Sequence, residues 1–294
     1  MIRKGFQRGL QRWYCKDCCR FFTRTEQISS EQLYEEYTKG KQTLKQLSES
    51  HQISVSTIQR RFRTIHNKRL VSKGKDVIVL MDATYWGHRF GVLVFKDAHR
   101  NKVLWRKFLS KKETLADYIE GIEWLENKGF NILGLVCDGL KGLTTALSKY
   151  KIQYCQFHQV KTVKFYLTSK PELQASQELL HIAFQLCHTD KESFVGMFED
   201  WVLRWNDFLK ERSVDPKTKK TRFTHQRLRS AYLSIKRNMP LLWTFYDFPE
   251  TTLPNTNNGI EALFTDLKTK LRVHNGLSKL NRMKFIDQYF YNKK

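Results

Sequence analysis

Apolar positions along this chain change period several times, and each change marks a different kind of segment. SSEQLYEEYTKG, ending at Gly40, places Leu33, Tyr34 and Tyr37 at helical spacing, with Ser29 or Ser30 as the cap and Gly40 as the stop. TLKQLSESHQISVSTIQRRFRTIH then predicts two short helices around the polar turn SESHQ. Leu44 and Leu47 line the first; Ile58 and Phe62, at i and i+4, line the second, with Ser54 or Ser56 as its cap. Gln59, Arg60, Arg61 and Arg63 fall largely on the opposite face. A helix-turn-helix has this form, and its second helix suits the DNA major groove.

Beyond residue 75 the pattern becomes that of a mixed sheet. DVIVLMDATYW opens with the unbroken apolar run Val77 to Met81, the mark of a strand buried on both faces. GVLVFKDAHRNKVLWRKFL reads as two strands joined at DAHRN. SKKETLADYIEGIEWLENKG is helical through Leu115, Tyr118, Ile119, Ile122 and Leu125, with Ser110 as a cap and Gly129 as a stop. FNILGLVCDG is a second buried strand, LKGLTTALSKY a short helix, and IQYCQFH a third short strand. The order strand–strand–strand–helix–strand–helix–strand predicts a mixed α/β sheet with helices over it. After Pro171 the spacing stays helical to about Met239, interrupted by a basic linker near 210–222, and LSKLNRMKFIDQYF reads as a last helix. Three segments follow: 1–27, 28–74 and 75–294, the last with a helical insertion at about 165–250.

Charge sharpens the picture. The 294 residues include 52 Lys and Arg against 29 Asp and Glu, a net charge of +23, which points to a polyanionic partner, nucleic acid before anionic membrane. The excess is spread: residues 1–27 carry seven basic and two acidic side chains, and 210–237 carry ten and two. A hydrophobic fraction of 40% fits a folded chain. No apolar run reaches the roughly 18 residues a membrane span needs. The basic, aromatic first 27 residues do not read as a signal peptide. The six scattered and clustered cysteines do not form a disulfide framework, so a cytoplasmic protein is expected.

RWYCKDCCRFFT contains one C-x-x-C, at Cys15 and Cys18. That spacing is one knuckle of a zinc ribbon, but a structural zinc takes four ligands and the next cysteine after Cys19 is Cys137. An incomplete zinc site is the expectation.

The sharper chemistry lies in three acids. Asp82 follows VIVLM and Asp138 follows ILGLVC, so each is expected at the carboxyl end of a buried strand, facing a crevice. A third carboxylate would complete a cage for Mg²⁺ or Mn²⁺, which take oxygen ligands and act in pairs in phosphoryl transfer. In TNNGIEALF, Glu261 could simply close a capping box with Asn258. The alternative is that Asn257 or Asn258 caps the helix while Glu261 points to the two aspartates.

Four motifs in order, LMDATYW, VCDGLKGL, CQFH (Cys155 to His158) and TNNGIEALFTDLKTKLRVHNGLS, make the chain resemble the DDE transposases of bacterial insertion sequences, within the Mutator-like superfamily. GFQRGLQRWYCKDCCRFF also resembles the ribbon that precedes such modules, although only its second half is present. The resemblance implies a ribonuclease-H-like core with an all-helical insertion and metal-dependent cleavage and transfer of DNA strands at element ends. Asp82, Asp138 and Glu261 would bind two Mg²⁺ or Mn²⁺ ions. Cys155, His158, Asn257 and Asn258 would be site-adjacent, the C-x-x-H pair being structural rather than a zinc site. The partners implied are double-stranded DNA, as terminal inverted repeats and target, and further copies of the chain. Lys268, Lys270, Arg272 and His274, which follow Glu261, are candidates for phosphate contacts. A DNA-binding regulator derived from a transposase, or a nuclease of the same fold, are the competing readings.

Overall fold

The computed structural model describes residues 1–294 except 24–27, 41, 66–73, 215–216, 218, 275 and 294. The chain forms two compact units, one of Met1–Asn67 with Lys270–Tyr289, the other of Lys68–Thr269 with Phe290–Lys294.

The first unit begins with an antiparallel sheet of β1 (Ile2–Gln7), β2 (Leu10–Tyr14) and β3 (Phe21–Thr23), in that order. The C-x-x-C sits between β2 and β3, where the backbone N–H groups of Cys18 and Asp17 hold the Cys15 thiol below its ordinary pKa. Among the described residues no third Cys, His, Asp or Glu joins Cys15 and Cys18 as a ligand set. Helices α1 (Ser30–Lys39), α2 (Leu44–His51) and α3 (Val55–Thr64) follow. Their caps are Ser29, Thr43 and Ser54, and the first two close capping boxes with Gln32 and Gln46. Leu33, Leu47 and Ile58 are fully buried between them, and the Phe62 ring packs on Tyr34 and Tyr37.

The second unit contains β4 (Asp76–Tyr85), β5 (Gly91–Asp97), β6 (Val103–Leu109), α4 (Leu115–Asn127), β7 (Asn131–Cys137), α5 (Leu143–Ala146) and β8 (Ile152–Tyr154). The strands form one mixed sheet, β6-β5-β4-β7-β8, antiparallel from β4 to β6 and parallel from β4 to β8. The element order is the one the periodicity predicts, and the sheet is compatible with the ribonuclease-H-like core that the resemblance implies. Val77 to Met81 are buried as expected. Helix α4 covers one face through Tyr118, Ile122 and Leu125. Its Gly121 lets it approach closely: a Cβ there would come within 2.5 Å of the Phe95 ring. Ser110 is not the cap of α4. Thr114 is, because its backbone N–H and hydroxyl both donate to Asp117 at 2.8 and 2.7 Å.

The stretch expected as a helical insertion, at about 165–250, is covered by α6 (Gln156–Leu167), α7 (Gln174–Gln185), α8 (Lys191–Lys210), β9 (Arg212–Val214), β10 (Thr221–Phe223), α9 (Gln226–Leu242) and α10 (Thr244–Asp247). It has its own core around Leu179, Phe194, Trp201, Ile235 and Trp243, and the Trp201 indole donates to the Ala175 carbonyl at 3.0 Å. It is not all-helical. The basic stretch read as a linker folds into a β9–β10 hairpin, because the Arg212 and Arg229 guanidiniums both stack on the Phe223 ring and pin the second strand.

Helices α11 (Asn258–Val273) and α12 (Lys279–Asn292) end the chain. In the first unit, His274 and Phe285 pack against Tyr37, with ring centroids 4.2 and 5.8 Å from it.

Candidate metal centre

Parallel pairing brings the two aspartates level. Leu80 of β4 is in register with Val136 of β7, so two residues further on Asp82 stands beside Asp138. Asp138 lies just past the end of β7, as expected, but Asp82 does not end its strand. β4 runs on to Tyr85 because its antiparallel partner continues, with Asp82 opposite Val94 and Tyr85 opposite Gly91. The opening at Asp82 therefore comes from the end of β7, not of β4.

Three contacts, two of them buried, set the start of α11 against this point. The Asn257 side chain donates to the carbonyl of Met81, next to Asp82, at 3.1 Å. The Asn257 backbone N–H donates to the Cys155 sulfur at 3.2 Å. Lys96, only 2% exposed on β5, donates to the Gly259 carbonyl at 2.9 Å. The Asn257 carbonyl accepts from the N–H groups of Ile260 and Glu261, which makes Asn257 the cap residue and Asn258 the first helical residue. Glu261 is thus in the fourth helical position, one beyond a capping box. Its carboxylate turns away from its own helix end, to Lys161 at 2.9 Å and to His158 at 3.5 Å.

Ligand atoms of Asp82, His158 and Glu261 all lie within 4.8 Å of one another. They come from a central strand, the first turn of α6 and the first turns of α11. Asp138 joins them electrostatically, as its charge acts on both Asp82 and His158. Its Oδ1 is buried with no hydrogen-bond partner, and so is Nδ1 of His158. Buried polar atoms are rarely left so, which marks a place for a group that the chain itself does not supply.

The electrostatics point to a cation. Burial first, then the Asp138 charge, pushes the Asp82 carboxyl up to about 8, against one hydrogen bond from the Ala83 N–H. Burial also raises Asp138, although the nearby His158 and the Leu140 N–H oppose it. Burial holds His158 below its usual value, against the pull of the Asp138 and Glu261 charges. Two carboxyl groups and one imidazole in reach of one another, with a third carboxyl beside them, are a set of donors able to hold a divalent cation.

Cys155 and His158 have separate surroundings. The sulfur faces Asn257 in the interior, and burial pushes its thiol up to about 11. The imidazole faces the carboxylates. Of the residues read as DNA contacts, Gln59, Arg60 and Arg63 are exposed on α3, while Arg61 donates to the Ile28 carbonyl at 3.1 Å. Lys268 and Arg272 are exposed, and Lys270 donates to the Lys39 carbonyl at 2.8 Å. His274 is 6% exposed among aromatic rings, so the phosphate contact expected of it is not available to its side chain.

Lys161, Lys96, Lys112 and Glu113 carry no motif. Lys161 pairs with Glu261, Lys112 offsets the charge of Asp138, and Glu113 accepts from the Tyr85 hydroxyl. A signal existed only for Lys161, which is one turn past His158 in CQFHQVK and so shares its side of the helix.

No family model matches the sequence, and no curated protein matches it. Among solved structures, the Drosophila P element transposase strand transfer complex aligns over 91% of this chain and 92% of that one, at 11% identity and a TM-score of 0.47. An intasome of simian T-cell lymphotropic virus aligns over 67% and 74%, at 12% identity and a TM-score of 0.23.

Proposed function

We propose that the chain is a DDE transposase of a bacterial insertion sequence, cleaving and transferring DNA strands with divalent metal. The observation that carries this reading is the convergence of Asp82, His158 and Glu261 on one point beside Asp138, from elements far apart in sequence. Asp82, Asp138 and Glu261 are the ligands proposed for two Mg²⁺ or Mn²⁺ ions, with His158 at the same centre. Ions there supply the Lewis acidity that activates a water or a 3′-hydroxyl and stabilises the leaving oxygen.

The chain's own residues set the conditions. The β4–β7 register holds the aspartates side by side, and Asn257 and Lys96 hold the helix that brings Glu261 to them. The high pKa of Asp82 disfavours accumulating negative charge without a cation. The excess of basic side chains supports a DNA partner, and α3 presents Gln59, Arg60 and Arg63 for a major groove. Action as a homo-oligomer on paired element ends belongs to the same reading. No helix among the described residues is long and apolar enough to cross a membrane.

The test is incubation of the protein with DNA carrying the repeats that flank its gene, with Mg²⁺ or Mn²⁺. Cleaved ends and joined strands are expected, and Asp82→Asn and Glu261→Gln should abolish both. Cleavage without joining would make it a nuclease. Sequence-specific binding with no metal-dependent cleavage would make it a regulator.

A further inference from the structure

Helix α6 leaves the metal centre with an unusual outer face. Its buried side is formed by Gln156, Gln159, Val163 and Leu167. Its exposed side carries Phe157, Lys161, Lys164 and Phe165, with Phe157 37% and Phe165 75% exposed. At 100° per residue these four fall within a stripe about 100° wide, and the two rings are roughly 12 Å apart along the axis. One exposed phenylalanine is ordinary, but two with a pair of lysines between them on one face are not a folding requirement of this helix.

The stripe begins at the metal centre. His158 follows Phe157, and the Lys161 ammonium lies both 4.3 Å from the Phe157 ring centroid and 2.9 Å from the Glu261 carboxylate. The far end is also held. Arg227 of α9 donates to the carbonyls of Phe165 and Tyr166, at 2.8 and 2.6 Å, and the Phe165 ring stands edge-on to Tyr166. Two rings with two ammonium groups between them match the two parts of a single-stranded nucleic acid. The rings offer faces for unpaired bases, and the ammoniums offer charge for the phosphates between them.

We propose that the Phe157–Lys161–Lys164–Phe165 face of α6 binds a short unpaired stretch of DNA next to the cleaved phosphate. Bases stack on Phe157 and Phe165. Lys161 exchanges its Glu261 partner for a backbone phosphate when metal takes the carboxylate. This rests on the metal-centre reading for the position of the cleaved bond, but the binding it describes needs no cleavage.

The test compares two labelled probes by fluorescence anisotropy in Ca²⁺: a 30-base-pair duplex, and the same duplex with a five-nucleotide single-stranded gap. The full-length protein should bind the gapped probe about five- to hundredfold more tightly, the range that one stacked base contributes. Phe157→Ala and Phe165→Ala should each reduce that preference, and Phe157→Trp should retain it. Lys161→Ala should weaken both probes and lower the salt slope by about one. Equal binding of the two probes, or a preference untouched by both Phe→Ala changes, overturns the proposal. If instead the Phe→Ala variants change only the sedimentation of the free protein, the face is a contact between copies and the proposal fails. A preference that persists in a protein without cleavage activity would count against the transposase reading and not against this one.

Discussion

The side-chain amide of Asn257 donates to the carbonyl of Met81, and this bond at 3.1 Å joins the helix of Glu261 to the strand of Asp82. The residues are 176 positions apart in sequence, yet they flank two of the proposed ligands. Replacing Asn257 by Ala should leave the Met81 carbonyl unpaired in the interior and destabilise the protein by about 1–3 kcal/mol in urea unfolding. The Ile260 and Glu261 amides should also exchange faster, since their acceptor is the Asn257 backbone carbonyl and the lost side-chain bond is what fixes that residue to β4. Unchanged stability and unchanged exchange would remove Asn257 from the frame of the site.

The Asp82 carboxyl makes the metal-free protein sensitive to pH in a direction opposite to the usual acid. Its folded pKa of about 8 lies above its ordinary value of 3.8, so between those values the folded state holds more protons than the unfolded one. Stability from this group is therefore present at pH 4 and declines as pH rises toward 8, by an amount on the order of a few kcal/mol. A divalent ion favours the ionised form and should reverse the loss. Thermal melting should thus show Tm falling from pH 5 to pH 8 without metal, and a rise on adding Mn²⁺ that is larger at pH 8. Asp82→Asn should flatten the first trend and abolish the second; a variant that keeps both would clear Asp82 of the role.

What was legible in the sequence depended on how far each signal is carried by local pattern. Asp82 and Asp138 could be found because each follows an unbroken apolar run, and such runs mark central strands. The end of β4 was misjudged because a strand's length is set by its partner, and no local pattern shows that β5 pairs as far as Tyr85. The β9–β10 hairpin was hidden for a similar reason. Two arginines stacked on Phe223 help to hold it, and in sequence they read only as charge. Lys161 lies one turn past His158, but that spacing alone is a weak signal in a chain of +23, because its partner Glu261 is 100 residues away. His274 looked available because its neighbours are basic, whereas aromatic packing within its own unit buries it.

His158 should set the preference among metals. Mg²⁺ strongly prefers oxygen ligands, whereas Mn²⁺ accepts an imidazole readily. His158→Gln should therefore weaken Mn²⁺ binding by at least about tenfold, read from the free-ion signal in an electron paramagnetic resonance titration, while Mg²⁺ binding changes less. Equal effects on both ions would mean that the imidazole orients the site without ligating.

The β9–β10 hairpin should carry part of the DNA affinity without reading sequence. Arg212, Lys219 and Lys220 are exposed on it, and a phosphate contact from each lysine would release about one counterion on binding. The double change Lys219→Gln and Lys220→Gln lies in a solvent-exposed turn, so the fold should tolerate it. A plot of log affinity against log salt concentration should become shallower by up to about two, to the same extent for related and unrelated duplexes. The order of preference among those duplexes should stay as it was, because phosphate contacts place the protein but do not distinguish bases. Parallel plots for parent and variant would show that this hairpin does not touch DNA, and would leave the excess charge of residues 210–237 to be explained by α9 alone.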